Sequence, residues 1–106
     1  MNGSSAFEIE ETARRGWVRL VCSCELDAST ALTFRRRLRA LRATNTNVCV
    51  DLSQLEFIDC AGAHALSTAL ADARDGSWRV EIAPTMSDQA SRFFDLLAAA
   101  GVPAKL

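Results

Sequence analysis

The sequence lacks the features that mark several common classes of protein. It has no run of about 18 apolar residues and no N-terminal pattern of basic, then apolar, then small residues, so we expect a cytoplasmic protein that does not insert into a membrane. It also has no excess of basic charge, because 12 basic residues are matched by 13 acidic ones and the formal net charge is -1. We therefore expect no binding to nucleic acid, since domains that bind it are usually basic.

Metal and nucleotide motifs are missing as well. The cysteines do not form the paired C-x-x-C clusters of a zinc site, and His64 is the single histidine. A doubly wound nucleotide-binding fold would normally show a glycine-rich phosphate loop, which is absent. We therefore expect neither a metal nor a cofactor. Without a secretion signal we also expect reduced thiols at all four cysteines, which are Cys22, Cys24, Cys49 and Cys60.

What the sequence contains is enough for one compact domain. With 106 residues, 49% of them hydrophobic, the chain can bury a core but has no room for a second domain. We expect residues 1–6 to be a flexible N-terminus and residues 7–106 to form the domain.

The first part of the chain predicts a hairpin followed by an amphipathic helix. Residues 7–10 and 17–25 alternate apolar and polar side chains, as half-buried strands do, around a turn at residues 14–16. Asp27 can cap the helix that follows, although it can also contact a partner. That helix has an apolar stripe at helical spacing, made by Ala31, Phe34, Leu38 and Leu41. Its other faces carry arginines, which we expect to be a solvated surface, with contact to an acidic partner as the alternative.

The second part predicts two more strands, each followed by a helix. Residues 48–52 form an apolar strand, and a helix should begin near Asp59 and Cys60 and close at Asp75 and Gly76. A stripe of small residues would let this helix lie close to a sheet, and it consists of Gly62, Leu66, Ala69 and Ala73. A strand at residues 78–82 and a last helix at about residues 87–100 complete the pattern.

This order of elements defines the fold class. Two strand–helix–strand units almost always cross over with the same hand and put their helices on one side of the sheet. Each strand also has one apolar and one largely polar face. We therefore predict an α/β fold with a mixed sheet of four to five strands and with helices packed on one face.

Two stretches of the sequence resemble a known family. The segment from Cys24 to Asp27 resembles the Gly-x-Leu-Asp entry to the first helix of STAS domains, the family of anti-sigma factor antagonists. Residues 51–62 read Asp-Leu-Ser-Gln-Leu-Glu-Phe-Ile-Asp-Cys-Ala-Gly and are similar to that family's Asp-Leu-Ser-x-Val-x-Phe-Ile-Asp-Ser-Ser-Gly block. The resemblance implies a STAS-like fold without catalytic activity, which binds a serine-kinase anti-sigma factor and so frees a sigma factor.

The resemblance also implies a partner-binding surface and a regulatory position. The expected contact residues are Asp27, Asp59, Cys60, Ala61, Gly62, Ala63 and His64. In the family, the serine after the second Asp of the block is phosphorylated by the kinase, and this releases the complex. Here that position is Cys60 and the next is Ala61, so the usual phosphoswitch is missing.

Three interpretations of Cys60 follow. The simplest is a small, neutral residue that keeps the protein permanently competent to bind. The second is redox control, in which a sulfenate or a mixed disulfide restores charge or bulk at the position of the phosphate. The third, catalysis by a Cys60–His64 pair, is disfavoured because no third group in the sequence is seen to orient the histidine. Ser53, Ser67 or Thr68 could also serve as a substitute phosphosite.

Other expectations concern the whole protein and its remaining polar residues. One alternative function is a STAS accessory subunit of an ABC-type lipid transporter, which would bind an ATPase with the same helix. Another is a thiol enzyme or redox sensor.

Asp51 should be structural and fix the turn after its strand. Cys22 and Cys24 should lie in the core, whereas Cys49, on the opposite face of its strand, should be the more exposed thiol. The oligomeric state stays open.

Overall fold

The structure is a computed structural model that describes residues 8–74 and 76–99. The expected flexible segment 1–6, Asp75 and the chain beyond residue 99 lie outside this description. In these ranges the elements are β1 (Glu8–Arg14), β2 (Trp17–Leu26), α1 (Ala31–Ala43), β3 (Asn47–Ile58), α2 (Cys60–Arg74), β4 (Val80–Ile82) and α3 (Asp88–Ala99). The predicted order of strands and helices is confirmed. No helix in the described ranges has both the length and the apolar character needed to cross a bilayer.

The strands form one mixed sheet in the order β1-β2-β3-β4. β1 is antiparallel to β2, while β2, β3 and β4 run parallel. The crossover helices α1 and α2 step along the sheet in the same direction, so their common hand puts them on the same face, where they contact each other. The predicted α/β fold, a mixed sheet with helices on one face, is confirmed.

The core lies between this sheet face and the helices. The apolar stripe predicted for α1 is buried throughout, as are Val48, Val50 and Leu52 of β3. α3 packs on β3 and adds the buried Ala90, with the half-buried Phe93 and Phe94 rings in an edge-to-face contact at 5.8 Å between centroids. Each helix therefore buries the face that its periodicity predicts.

The hairpin between β1 and β2 closes through a two-residue turn. Arg15 and Gly16 have φ angles of 42° and 84°, and Arg14 pairs with Trp17. Two successive residues with positive φ form the type I′ turn that matches the twist of paired strands. The predicted turn at residues 14–16 is confirmed.

β3 is longer than its sequence pattern predicts. It continues from Leu52 to Ile58, and its pairing with β2 shifts register twice, once after Asp51 and once after Leu55. These bulges insert extra residues into β3, so the buried positions after Leu52 are Leu55 and Ile58 instead of every second residue. Strict alternation fails there, which is why the segment resembled a loop.

β4 is shorter than the predicted strand at residues 78–82, since it begins only at Val80. The strand covers Val80–Ile82, whereas Trp78 lies just before it and is 5% exposed. Its indole N–H donates a hydrogen bond to the main-chain oxygen of Thr46, at 2.7 Å. Trp78 therefore anchors the segment between α2 and β4 to the start of β3.

Asp51 lies within β3 on the sheet face that points away from α1 and α2. Its carboxylate accepts hydrogen bonds from the Ser53 amide at 2.8 Å and from Arg19 at 3.0 and 2.5 Å. Burial raises the pKa of Asp51, but the bonds from Ser53 and Arg19 outweigh that effect and lower it overall. Asp51 is structural, as expected, but it joins two strands and does not end one.

Gly62 packs directly against Leu26. A Cβ atom on residue 62 would lie 2.3 Å from the Leu26 carbonyl oxygen and 2.8 Å from its Cγ. The same carbonyl accepts a hydrogen bond from the Asp59 amide at 3.3 Å. The first turn of α2 is thus held directly against the end of β2.

Gly62→Ala should destabilise the protein, because a methyl group at residue 62 collides with backbone. We expect the free energy of unfolding to fall by about 1–3 kcal/mol, the usual range for overpacking. Urea denaturation measures this change. The matched control is Gly76→Ala, since Gly76 is exposed and its added Cβ would meet nothing within 4 Å. Equal stability of the two variants would contradict the close approach.

Asp51→Asn should alter the dependence of stability on pH. The folded-state pKa of Asp51 is lowered, so its charge stabilises the fold above about pH 4 and this contribution disappears as the pH falls through the folded pKa. We expect the variant to lose about 1 kcal/mol at pH 7 and to lose less than the wild type between pH 5 and 3. Denaturant titrations at each pH test this. Glu81→Gln, a matched loss of charge at an exposed position on the same face, should not reproduce it.

Candidate functional site

The candidate site is the edge of the sheet where β2 and β3 end side by side. The two strands are parallel neighbours, and Leu26 pairs with Ile58 at their ends. The chain then turns away through residues 27–30 on one side and through Asp59 into α2 on the other. Asp27 and Asp59, which are 32 positions apart in sequence, are therefore brought to the same edge. We call this surface the acidic tip and define it as residues 25–30 and 56–61 together with His64.

The Asp27 side chain closes the turn that leads into α1. Its Oδ1 accepts hydrogen bonds from the Ser29 amide at 3.0 Å, the Ser29 hydroxyl at 2.7 Å and the Thr30 amide at 3.2 Å. The Thr30 hydroxyl donates to the Glu25 carbonyl at 2.8 Å and ties the turn back to β2. Asp27 therefore caps the turn before α1, while the N-cap of the helix itself is Thr30.

These hydrogen bonds keep Asp27 ionised. The largest effect is the bond from the Ser29 hydroxyl, which lowers the pKa of Asp27; slight burial opposes it, and the Ser29 and Thr30 amides lower the pKa further. A carboxylate held in this way offers a fixed negative charge at neutral pH. The turn thus presents an anion whose orientation is set by its own backbone.

Asp59 caps α2. Its Oδ1 accepts a hydrogen bond from the Gly62 amide at 3.1 Å, and its main-chain oxygen accepts from the Ala63 amide at 2.9 Å. The predicted cap at Asp59 is therefore confirmed. Cys60 follows this capping residue, is the first residue of α2 and is exposed.

The seven predicted contact residues differ in exposure. Cys60 and His64 are exposed, and Asp27, Asp59 and Ala61 are half-buried. Gly62 and Ala63 are buried, Gly62 against Leu26 and Ala63 within the core. Five of the seven are therefore at least partly exposed at the ends of β2 and β3 and the start of α2, whereas Gly62 and Ala63 are buried beneath them.

The sequence pattern missed three residues of the tip. Phe57 is 47% exposed, Glu56 is exposed, and Glu25 pairs with Phe57 across the two strands. They were missed because residues 53–58 did not alternate like a strand. The absence of Lys and Arg from positions 20–34 and 43–73 could have indicated an acidic surface there.

The cysteines differ sharply in environment. Cys22 is buried, and burial, with a smaller effect of the Asp51 charge, raises the pKa of its thiol to about 12. Cys49 lies on the predicted open face but is half-buried between its sheet neighbours Arg19 and Glu81, and burial raises its pKa too. As predicted, Cys49 is more exposed than the buried Cys22, although Cys60 is the most exposed of the three cysteines whose side chains are described. The side chain of Cys24 lies outside the described residues.

Cys60 and His64 lie about one turn apart at the start of α2. Within residues 8–74 and 76–99, neither the Cys60 thiol nor the His64 imidazole makes a side-chain hydrogen bond that would hold the two together. The same ranges contain no group of three or more His, Cys, Asp or Glu side chains that could hold a metal ion. The arrangement instead offers a fixed acidic surface with one exposed aromatic ring and one exposed thiol.

The fold is similar to solved structures of anti-sigma factor antagonists. An anti-sigma factor antagonist from Mycobacterium paratuberculosis has a TM-score of 0.68 at 17% identity, over 93% of this chain and 86% of that one. The Bacillus cell fate determinant SpoIIAA in its phosphorylated form gives 0.62 at 16% identity, over 92% and 85%. SpoIIAA in its unphosphorylated form gives 0.61 at 16% identity, over 88% and 98%. At these identities the likeness shows a common fold.

The sequence itself matches a family model. The model described as "Mlab, STAS domain" matches residues 9–104, which is most of the chain. No curated protein matches. Because the family model and the fold agree, the protein belongs to the STAS-domain family.

Proposed function

We propose that this protein is an anti-sigma factor antagonist that binds a kinase-type anti-sigma factor through the acidic tip and so frees a sigma factor. The common fold with antagonists of this kind supports the proposal. The tip supports it as well, because four carboxylates lie at the ends of β2 and β3 and directly after them, without a Lys or Arg in the same segments. They belong to Glu25, Asp27, Glu56 and Asp59.

The observation that carries this proposal is the position of Cys60. It is the first residue of a capped helix, is exposed, and stands where the STAS resemblance puts the phosphorylated serine. A phosphate there would add bulk and about two strongly hydrated charges in the middle of the contact surface, beside the Asp59 carboxylate, and its steric and desolvation cost would disrupt the complex. A thiol does not accept phosphate from a serine kinase, so this tip stays in the binding-competent state.

The tip also indicates what kind of partner surface it fits. Carboxylates around one exposed ring, Phe57, would match a basic surface with a small apolar pocket for the ring. Aromatic side chains are common among residues that contribute most to binding, and surrounding charges mainly set orientation and association rate. We therefore expect binding to weaken as the salt concentration rises.

Cys60→Ser should restore the missing switch. With a kinase-type anti-sigma factor and ATP, we expect this variant to be phosphorylated and released, while the wild-type protein stays bound. Intact-mass spectrometry and size-exclusion chromatography before and after addition of ATP measure the two effects. Cys49→Ser is the control, because it makes the same change on the sheet face away from the tip. Phosphorylation of the wild type at Ser53, Ser67 or Thr68 with release of the complex would overturn the proposal.

Asp59→Asn should separate capping from partner contact. Asn caps a helix about as well as Asp, so stability should change by less than about 0.5 kcal/mol, whereas affinity for the partner should fall several-fold because a charge is lost. Asp59→Ala should also lose about 1 kcal/mol of stability, since the Gly62 amide loses its acceptor. Calorimetric titration and urea denaturation of both variants test this. Unchanged affinity of Asp59→Asn would make Asp59 structural only.

Binding experiments on the complex with the anti-sigma factor also distinguish a locked Cys60 from a redox-controlled one, and an anti-sigma factor from a transporter ATPase as the partner. Under redox control, the wild type should release its partner on oxidation and Cys60→Ala should not. Under the proposed locked state, both should bind equally in reducing and oxidising buffer. Recovery of the ATPase subunit of an ABC-type transporter in pull-downs, in place of a sigma-regulating kinase, would favour the transporter accessory role and overturn the main proposal.

A further inference from the structure

A groove between α1 and α2 concentrates arginines that the proposed function does not use. Arg35, Arg39 and Arg42 line it from α1, and Thr68 and Asp72 line it from α2. Its floor is apolar and includes the buried Trp78. The groove is open on one side, and its volume is about 60 Å³. Trp78 lies just before β4 and is hydrogen-bonded to Thr46 just before β3, so this part of the groove is at the opposite end of the parallel strands from the acidic tip.

The charges of this groove are not balanced within the described residues. α1 carries five arginines and no acidic residue, although like charges at i, i+4 destabilise a helix. Arg37 pairs with Glu11, and Arg42 pairs with Asp72 at 3.5 Å. Arg35 and Arg39 have no acidic partner in the part of the chain that the structure describes. The groove therefore keeps a surplus of positive charge at the end where these two side chains lie.

The positions of Arg35 and Arg39 on α1 determine which kind of ligand their positive charges can bind. Arg35 and Arg39 are one turn apart and project from the same flank of α1, and Thr68 lies across the groove, one turn before Asp72 on α2. Two guanidinium groups and a hydroxyl thus line the same groove, and the planar guanidinium fits phosphate oxygens in a bidentate manner. The Asp72 carboxylate is already engaged by Arg42 at the other end.

We propose that this groove binds a phosphate monoester with an apolar ester group. The phosphate is held by Arg35, Arg39 and the Thr68 hydroxyl, and the ester group covers the apolar floor beside Trp78. The volume favours a small ligand, because a groove of about 60 Å³ holds only a few water molecules, each of which needs about 10–15 Å³ or more on the same measure. A groove of this size accepts one phosphoryl group and is too small for a peptide helix.

A structural role for these arginines is the competing explanation. Their aliphatic stems can cover apolar surface while the charged ends stay in water. Arg→Met substitutions separate the two roles, because Met keeps an unbranched apolar stem and removes the charge. Arg36 offers a matched control, since it is an exposed arginine on the same helix but does not line this groove.

Fluorescence of Trp78 tests the proposal. The chain has two tryptophans, so a Trp17→Phe background leaves Trp78 as the single reporter, and it lies in the groove wall. At constant ionic strength, phenyl phosphate should give a saturable change in emission, and inorganic phosphate should bind more weakly. Arg39→Met should weaken phenyl phosphate binding at least tenfold, and Arg36→Met less than threefold.

Two results would overturn this proposal. A response to phenyl phosphate that does not saturate would show that no site exists, and equal losses in Arg39→Met and Arg36→Met would show diffuse attraction to a basic helix. Arg35→Met provides a second variant if Arg39→Met proves unstable, which urea denaturation detects. The result is independent of the tip, because none of these substitutions touches the tip residues.

Discussion

The first turn of α2 can lie against the end of β2 only because residue 62 has no side chain. The Leu26 carbonyl occupies the space that a Cβ would need, and it also accepts the hydrogen bond from the Asp59 amide. This contact fixes where α2 begins and hence where Cys60 is exposed. It also brings the turn at Asp27, which follows Leu26 directly, beside the start of α2. The acidic tip therefore depends on one glycine that is itself buried.

Periodicity was sufficient to predict most of the fold. The apolar stripe of α1, the small-residue stripe of α2 and the hairpin turn all behave as their spacing indicates, because each buries one face against a single sheet. It failed where the backbone departs from a regular period. The two bulges of β3 shift the buried positions to Leu55 and Ile58, and Trp78 is anchored by a hydrogen bond outside its strand. Neither feature has a signal in the spacing of apolar residues.

For the site, the sequence identified the capping carboxylates and the unusual residue at position 60. The sequence did not distinguish exposed contact residues from the buried residues beneath them, because exposure depends on packing between elements far apart in sequence. Gly62 and Ala63 were grouped with Cys60 by adjacency, but the helix turns them toward the core. Phe57 was missed for the opposite reason, since the register shift in β3 leaves it exposed beside Glu25. The segregation of charge, with carboxylates at the tip and arginines on α1, becomes meaningful only on the folded surface.

The central claim is that the acidic tip is held in a binding-competent state because position 60 cannot be phosphorylated. Mass spectrometry of the protein purified from its native cells together with its bound partner tests this claim most directly. The account predicts that the bound protein carries an unmodified Cys60 and no phosphate on any hydroxyl, and that the partner is a kinase-type anti-sigma factor. A phosphate on Ser53, Ser67 or Thr68, or an oxidised Cys60 in the free fraction alone, would contradict it.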